Sequence, residues 1–394
     1  MAIKDDGMTE AAHKAVHQFG VSGYQTERDW PYLTILEINA VLASFSGQGK
    51  AIKILSHSRR PYSAAALFET DQKQTFFIKR HHHKIRNKTE LLKEHLFARH
   101  LAQKSFPIST PMMADHNQTV IEKEPWIYEI HPQAQGVDLY QDVMSWEPFF
   151  NRDHAYEAGR MLALFHQAAQ GFDESPRHHA LLVSAGDTLL HDDFIKALSE
   201  WITAQPELLK QLEGKNWQQD ITENILPFHH QLQPLTADIT PLWGHGDWHS
   251  SNLMWTGSNP KAKVSCVLDL GMADYSSAMF DLATAIERNV IAWLDMDSRQ
   301  DIVIYDQLFA LLRGYHHIKP LSQTDKQLLS AFMPLLHLEY ALSEIVYFGA
   351  LLQDKTSADI AYYDYLLGHS RWFSGQEGQQ LLQKIIHFEA RSRL

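Results

Sequence analysis

The chain is short of cysteine: Cys266 is the only one in 394 residues. A disulfide within the chain is excluded, and a reducing compartment is the natural setting. Cys266 lies in the mainly apolar run Val264 to Leu270, which favours a buried small hydrophobe over a catalytic thiol. Excess basic charge is lacking too. Thirty-five Lys and Arg face 47 Asp and Glu, a net charge of −12, which argues against general nucleic-acid binding because phosphate backbones select a basic face. No apolar run reaches the ~18 residues that mark a membrane span, and the opening MAIKDDGMTEAAHK lacks the apolar core of a secretory signal. A soluble, cytoplasmic protein with no membrane partner is expected.

What is present divides the chain in two. Residues 1–30 are a polar lead-in. Leu33–Phe45 has helical spacing, with Thr34 and Glu37 placed for a capping box. Lys50–Leu55, Tyr62–Thr70 and Gln74–Lys79 are short apolar runs split by polar turns, the pattern of an antiparallel meander. Lys88–Gln103 is an amphipathic helix with Leu91, Leu92, Leu96, Phe97 and Leu101 near one face. Val120–Glu122 and Trp126–Ile130 add two strands. Beyond the linker-like stretch 131–136 the chain turns helical. Asp153–Gln167 carries an acidic cap, and Leu189–Leu212 and Trp217–Leu232 are interrupted by Pro206 and Pro227. Two units follow, a strand-rich 1–130 and a helical 131–394.

The helical texture breaks at Trp243–Trp255, WGHGDWHSSNLMW. Here His245-Gly246-Asp247 precedes Asn252 by the spacing of the H-x-D-x-x-x-x-N grammar of phosphoryl transfer. A carboxylate within reach of a hydroxyl can orient it and accept its proton. An amide oxygen a few residues on can bind Mg²⁺ without adding like charge. Then Val267-Leu268-Asp269-Leu270-Gly271 delivers a second acid at the end of an apolar strand, with a glycine to turn the chain away. Hard oxygen ligands from Asn252 and Asp269 could converge on Mg²⁺ together with ATP phosphates. The pattern makes Asp247 the catalytic base, with His245 beside it.

The same grammar requires a lysine on the third strand, paired to a helix glutamate. Lys79 ends TFFIK, and Glu94 lies in the next helix, with Glu90 as its rival. The turn from Ser56 to Ser63 has no glycine, so a Gly-x-Gly-x-x-Gly loop is lacking. Ser56 and Ser58, with Arg59 and Arg60, could contact phosphate instead. Glu129 to His131 fall where the halves join, so their backbone could meet the adenine edge.

At this point the sequence resembles the aminoglycoside phosphotransferase and choline kinase-like superfamily. His245 to Asn252 resembles its catalytic loop, Leu268-Asp269 its metal-binding strand end, and Phe280-Asp281-Leu282-Ala283 the D-L-A opening its next helix. Leu162-Ala163-Leu164-Phe165-His166 is similar to its L-A-x-L-H helix. Stretches around Glu94 and Phe106–Pro111 resemble bacterial stress-response kinases, and Gly314–Leu321 resembles type II homoserine kinases. The resemblance implies an α+β, protein kinase-like bilobal fold, with an antiparallel-sheet lobe carrying one long helix and a mainly helical lobe. It implies an ATP- and Mg²⁺-dependent phosphotransferase acting on a hydroxyl, and makes Asp281 a cap and loop anchor.

The acceptor should lie against the helical half. Trp248 and His249 follow the catalytic Asp. His337, Tyr340, Glu344 and Tyr347 make a polar-aromatic stripe at helical spacing, which fits a cationic or hydroxylated small molecule or a hydrogen-bonded structural face. His81-His82-His83 diverge too much for a metal set and read as a basic or solvated loop. A small-molecule kinase is the leading expectation. A protein Ser/Thr kinase and a nucleotide-binding pseudokinase module are the alternatives, and oligomeric state is left open.

Overall fold

The computed structural model describes residues 30–58, 62–143, 145–177, 181–295 and 301–390. Most of the polar lead-in, and Arg59 and Arg60 of the turn, lie outside the described residues.

Helix α1 (Ile35–Leu42) starts at Thr34, whose side chain accepts from the Glu37 amide. The reverse half of the expected capping box is not made, because the Glu37 carboxylate is drawn to Arg80 Nη1 (2.7 Å) and Tyr128 Oη (2.7 Å). Strands β1 (Ala51–His57), β2 (Ala64–Thr70), β3 (Thr75–His82), β4 (Ile121–Lys123) and β5 (Trp126–Pro132) form one antiparallel sheet in the order β1-β2-β3-β5-β4. Alternation sets which face is buried: Phe76, Ile78, Tyr128 and Ile130 join Ile38 and Val41 in a first core. β3 runs three residues past Lys79, so His81 and His82 are strand rather than loop, and His83 opens the turn. His81 is buried, His82 stacks on Trp30, and His83 meets Glu124. β5 also continues through the boundary expected after residue 130.

Helix α2 (Lys88–Gln103) begins at a full capping box of Asn87 and Glu90, which assigns Glu90 to the helix end. Its inner face is Leu91, Glu94, His95, Phe97, Ala98 and Leu101, whereas Leu96 is exposed. Phe97 and Leu101 enter the larger second core. The helix thus rests on the helical half and presents polar groups toward the sheet.

That second core is built on α3 (Arg152–Ala169), capped by Asn151 rather than by the acid inside it. Four short helices follow: α4 (Phe194–Thr203), α5 (Pro206–Gln211), α6 (Trp217–Asn224) and α7 (Leu226–Leu232). Pro206 and Pro227 stand in the first turns of α5 and α7. There a missing N–H costs nothing, so these prolines open helices where interruptions were expected. After the catalytic segment come α8 (Ala278–Val290), α9 (Tyr305–Ile318), α10 (Gln323–Phe332), α11 (Leu338–Val346), α12 (Lys355–Ile360), α13 (Leu367–Ser374) and α14 (Gln376–Ile386), with π-helical turns at Tyr347–Leu351 and Ala361–Leu366. No helix among the described residues is long and apolar enough to cross a membrane.

Candidate active site

Two small ladders bring the chemistry together. β6 (Pro241–Gly244) pairs antiparallel with β9 (Asp274–Ser277), and β7 (Leu253–Trp255) pairs with β8 (Val264–Val267). One ladder nests inside the other along the chain. The segment from β6 to β7, which holds Asp247 and Asn252, must therefore meet the segment from β8 to β9, which holds Asp269. The Leu268 amide donates to Asn252 O (2.9 Å), and His245 Nε2 donates to Leu268 O (2.9 Å).

His245 is fully buried, and its Nδ1 accepts from the Asp247 amide (3.2 Å). With both ring nitrogens committed to backbone it is a positioning residue, not the catalytic partner that its place in the motif suggested. Gly246 has φ +75, and a Cβ there would lie 2.1 Å from Met272 O. Only glycine fits. Asp281 locks the loop: its carboxylate accepts from the amides of His245 (2.8 Å) and Gly246 (2.9 Å) and from His166 Nε2 (3.0 Å). The loop-anchor expectation for Asp281 describes this contact, whereas the helix cap is Ser277. Two turns further along α8, Asn289 accepts from the Ser250 amide and donates to Trp248 O.

Asp247 itself accepts from His249 Nε2 (3.2 Å) and from the side-chain Nδ2 of Asn252 (3.3 Å), with Arg288 Nε 3.7 Å away. Burial alone would raise its pKa, but the cationic surroundings of His249 and Arg288 hold it well below the usual carboxylate range. The same Asn252 Nδ2 also donates to Asp247 O (2.9 Å). Asp269 adopts φ +58, so the left-handed residue of this turn is the acid itself and not Gly271. Its Oδ1 accepts from Lys79 Nζ (2.7 Å) and the Gly271 amide (3.1 Å). Burial raises its pKa and the Asp247 charge adds to that, yet Lys79 outweighs both and the group is ionised. Two like carboxylates close enough to repel, with Asn252 Oδ1 and Asp269 Oδ2 bonded to none of the described residues, form a donor set that suits a hard divalent cation.

Lys79 is positioned by β3. Burial would lower its pKa, but Asp269, Glu129 and Glu94 raise it, so it is a firm cation. Its partner differs from expectation. Glu94 is 2.7 Å from Arg177 Nη2 and 3.4 Å from Arg86 Nε. Both arginines donate to Gly271 O, Arg86 at 2.6 Å and Arg177 at 3.1 Å. Glu94 thus holds two guanidinium groups that staple the Asp269 turn to α2, leaving Lys79 to Asp269.

Other expected nucleotide contacts are placed differently. Glu129 and His131 pair with β3 in the sheet register, and Ile130 O accepts from the Met112 amide, so this backbone is committed. The Glu129 side chain is a buried hub for His81 (3.0 Å), His95 (2.9 Å) and His131 (2.8 Å). Ser56 is an exposed strand residue facing Leu67, and only Ser58 lies in the turn.

On the acceptor side, Trp248 is wholly buried against Phe165 and His245 and cannot meet a ligand. His249 stays beside Asp247. Tyr340, Glu344 and Tyr347 are buried around Tyr62, which reaches from the sheet half to donate to Glu344 Oε1 (2.6 Å) and packs edge-on to Tyr347 at 5.0 Å. Arg288 lies 3.9 Å from the Trp146 ring and 5.2 Å from that of Tyr340. Arg288, Trp146, Tyr62, Arg86 and Arg177 all escaped the sequence reading. Arg288 alone had a signal, since it follows Asp281 by seven residues on α8 and so shares its face. A hollow of about 400 Å³ near His229 and Phe194 shares no residue with this site.

The phosphotransferase enzyme family matches residues 61–321. Stress response kinase A of Escherichia coli (strain K12) and that of Shigella flexneri are each 23% identical over 208 residues, 51% of this chain and 53% of theirs. The match thus spans about half the length of these curated relatives. Among solved structures, the amicoumacin kinase hAmiN in complex with AMP-PNP, Ca²⁺ and Ami superposes with a TM-score of 0.55 at 14% identity, over 90% of this chain and 95% of that one. An aminoglycoside phosphotransferase from Alicyclobacillus acidocaldarius gives 0.52 at 14% identity, over 91% and 99%. The fold is the kinase-like one of these neighbours, and the chain belongs to the phosphotransferase enzyme family.

Proposed function

We propose that the protein transfers the γ-phosphoryl group of ATP, with Mg²⁺, to a hydroxyl of a small molecule such as an amino alcohol, a sugar or an aminoglycoside-like compound. The convergence of Lys79, Asp247, Asn252 and Asp269 from distant parts of the chain carries this reading. Asp247, kept ionised, orients the acceptor hydroxyl and takes its proton as the oxygen bonds to phosphorus and the bond to ADP breaks. Lys79 offers a cation to phosphate oxygens. Asn252 Oδ1 and Asp269 Oδ2 would hold Mg²⁺, which supplies charge neutralisation for the phosphates. The Tyr62–Glu344 contact roofs the acceptor side with buried side chains, which favours a small acceptor over an extended peptide. The division into a nucleotide half, 1–130, and an acceptor half, 131–394, belongs to the same reading.

The test is a phosphoryl-transfer screen with labelled ATP and Mg²⁺ over amino alcohols, sugars, aminoglycosides and generic protein substrates, run beside Asp247→Asn. Label on a small molecule, lost in the variant, is the expected result. Label on protein alone would replace the small-molecule reading, and nucleotide binding without turnover would make the chain a binding module.

A further inference from the structure

We propose that Glu287, His337 and His369 form a second metal site, for a Zn²⁺-class transition ion, behind the catalytic loop. The three side chains come from α8, the entry to α11, and α13. Their candidate ligand atoms all lie within 4.8 Å of one another, and each residue is fully buried. Glu287 Oε2 and His337 Nδ1 are buried polar atoms with no hydrogen-bond partner among the described residues. Such atoms are rare in folded proteins and call for a specific explanation.

The orientation of His337 supplies one. Its Nε2 donates to Leu366 O (3.0 Å), which leaves the lone pair on Nδ1 directed at the cluster. A ligating histidine is usually fixed in this way, through the nitrogen that does not bind the ion. His369 is held flat on Trp293, with ring centroids 3.8 Å apart, and its Nδ1 lies 3.3 Å from Glu287 Oε1. A Zn–N bond of ~2.0–2.1 Å separates tetrahedral donors by ~3.3 Å, so an ion would draw this set slightly inward. Two imidazoles and one carboxylate suit Zn²⁺ or Co²⁺ better than Mg²⁺. A cavity of about 10 Å³, lined by Gly246, Thr284, Glu287, His337 and Tyr340, adjoins the cluster. That is about the room one water needs, enough for a fourth ligand. The Arg288 guanidinium is the nearby opposing charge, and it is drawn the other way, toward Asp247.

A second His/Glu group shows what a self-contained network looks like. His95, Glu129 and His131 are equally close, but every ring nitrogen there is engaged: His95 with Thr119 and Glu129, His131 with Ser109 and Glu129. That cluster needs no ion. The Glu287 cluster has the same composition and lacks such closure. A bound ion would tie α8, which carries Arg288 and Asn289 to the catalytic loop, to α11 and α13.

The experiment uses untagged full-length protein, stripped with chelator, reloaded with Zn²⁺ or Co²⁺ and dialysed against excess Mg²⁺. Metal content is read by mass spectrometry and Co²⁺ geometry by visible absorption. One Zn²⁺ per chain and a tetrahedral Co²⁺ spectrum are expected, with affinity lowered at least ~10-fold in Glu287→Gln and His337→Gln and unchanged in Glu129→Gln and Asp269→Asn. Folded wild-type protein that retains no Zn²⁺ and gives no Co²⁺ band would overturn the assignment, whatever the variants do. So would equal retention by wild type and the Glu287 and His337 variants.

Discussion

The phosphoryl-transfer side and the acceptor side of the site are held by different means. On the first, the loops that carry Asp247 and Asp269 are tied by several side-chain bonds to their backbone. Asp281 grips two loop amides, His245 bridges the two loops, and two arginines staple Gly271 O to Glu94. On the second, a buried acid meets aromatic rings with few ties, and burial pushes Glu344 up to about 7. Rigid ties preorganise donors for charge that develops in the transition state, which repays the cost of fixing them. Buried carboxyls with loosely committed partners can change protonation when a ligand arrives. The contrast separates a rigid part of the candidate site from one that can respond to a ligand.

The comparison can be broken at either end. The largest effect is expected for Asp247→Asn: a fall in kcat of about 10³-fold with nucleotide affinity within a few-fold, measured by turnover and by calorimetric titration. Asp281→Ala should come next. It strands the two loop amides and His166 in a dry interior, at about 1–3 kcal/mol per lost partner. Chemical denaturation should show a loss of roughly 3 kcal/mol or more; a loss under ~0.5 kcal/mol would mean that the loop does not depend on this clamp. Glu344→Ala should raise acceptor KM several-fold and leave ATP affinity alone. Unchanged acceptor kinetics would return the Tyr340–Glu344–Tyr347 face to a purely structural role.

The smallest effect is a pH dependence. Burial raises the Glu344 carboxyl from 4.5 to about 7, against the Tyr62 hydrogen bond and the Arg288 charge, which lower it. The native state then holds this proton where the unfolded chain has released it. Glu344 therefore favours folding less as pH climbs from its unfolded value to about 7. Glu344→Gln removes that dependence, so variant-minus-wild-type Tm should grow more positive between about pH 5 and about pH 8. A flat difference in thermal scans would contradict the buried, proton-sharing picture.

What was legible in the sequence follows the same division. The two loops that meet at the candidate site, with Asp247 and Asn252 on one and Asp269 on the other, are short contiguous motifs, and the strands and long helices follow from apolar period. Helix limits set by Pro206 and Pro227 were misread because proline in a first turn opens a helix as readily as it ends one. The Glu94 pairing could not be read, since Arg177 reaches it from 83 residues away in the chain. Trp248 sits beside the catalytic Asp in sequence, but the loop turns it into the core. The cluster proposed to face the acceptor is assembled from Tyr62, Trp146, Arg288 and Glu344, and no local pattern joins them. Only α8 offered a readable signal, with Asp281, Arg288 and Asn289 on one face toward the loop.

The central claim, that Asp269 and Asn252 hold a divalent ion against nucleotide phosphates opposite Asp247, is tested most directly by ATP affinity with and without Mg²⁺ in wild type and Asp269→Asn. Affinity that rises with Mg²⁺ in the wild type, and loses at least ~10-fold of that gain in the variant, is the predicted result. An Mg²⁺ response of equal size in both proteins would contradict the account.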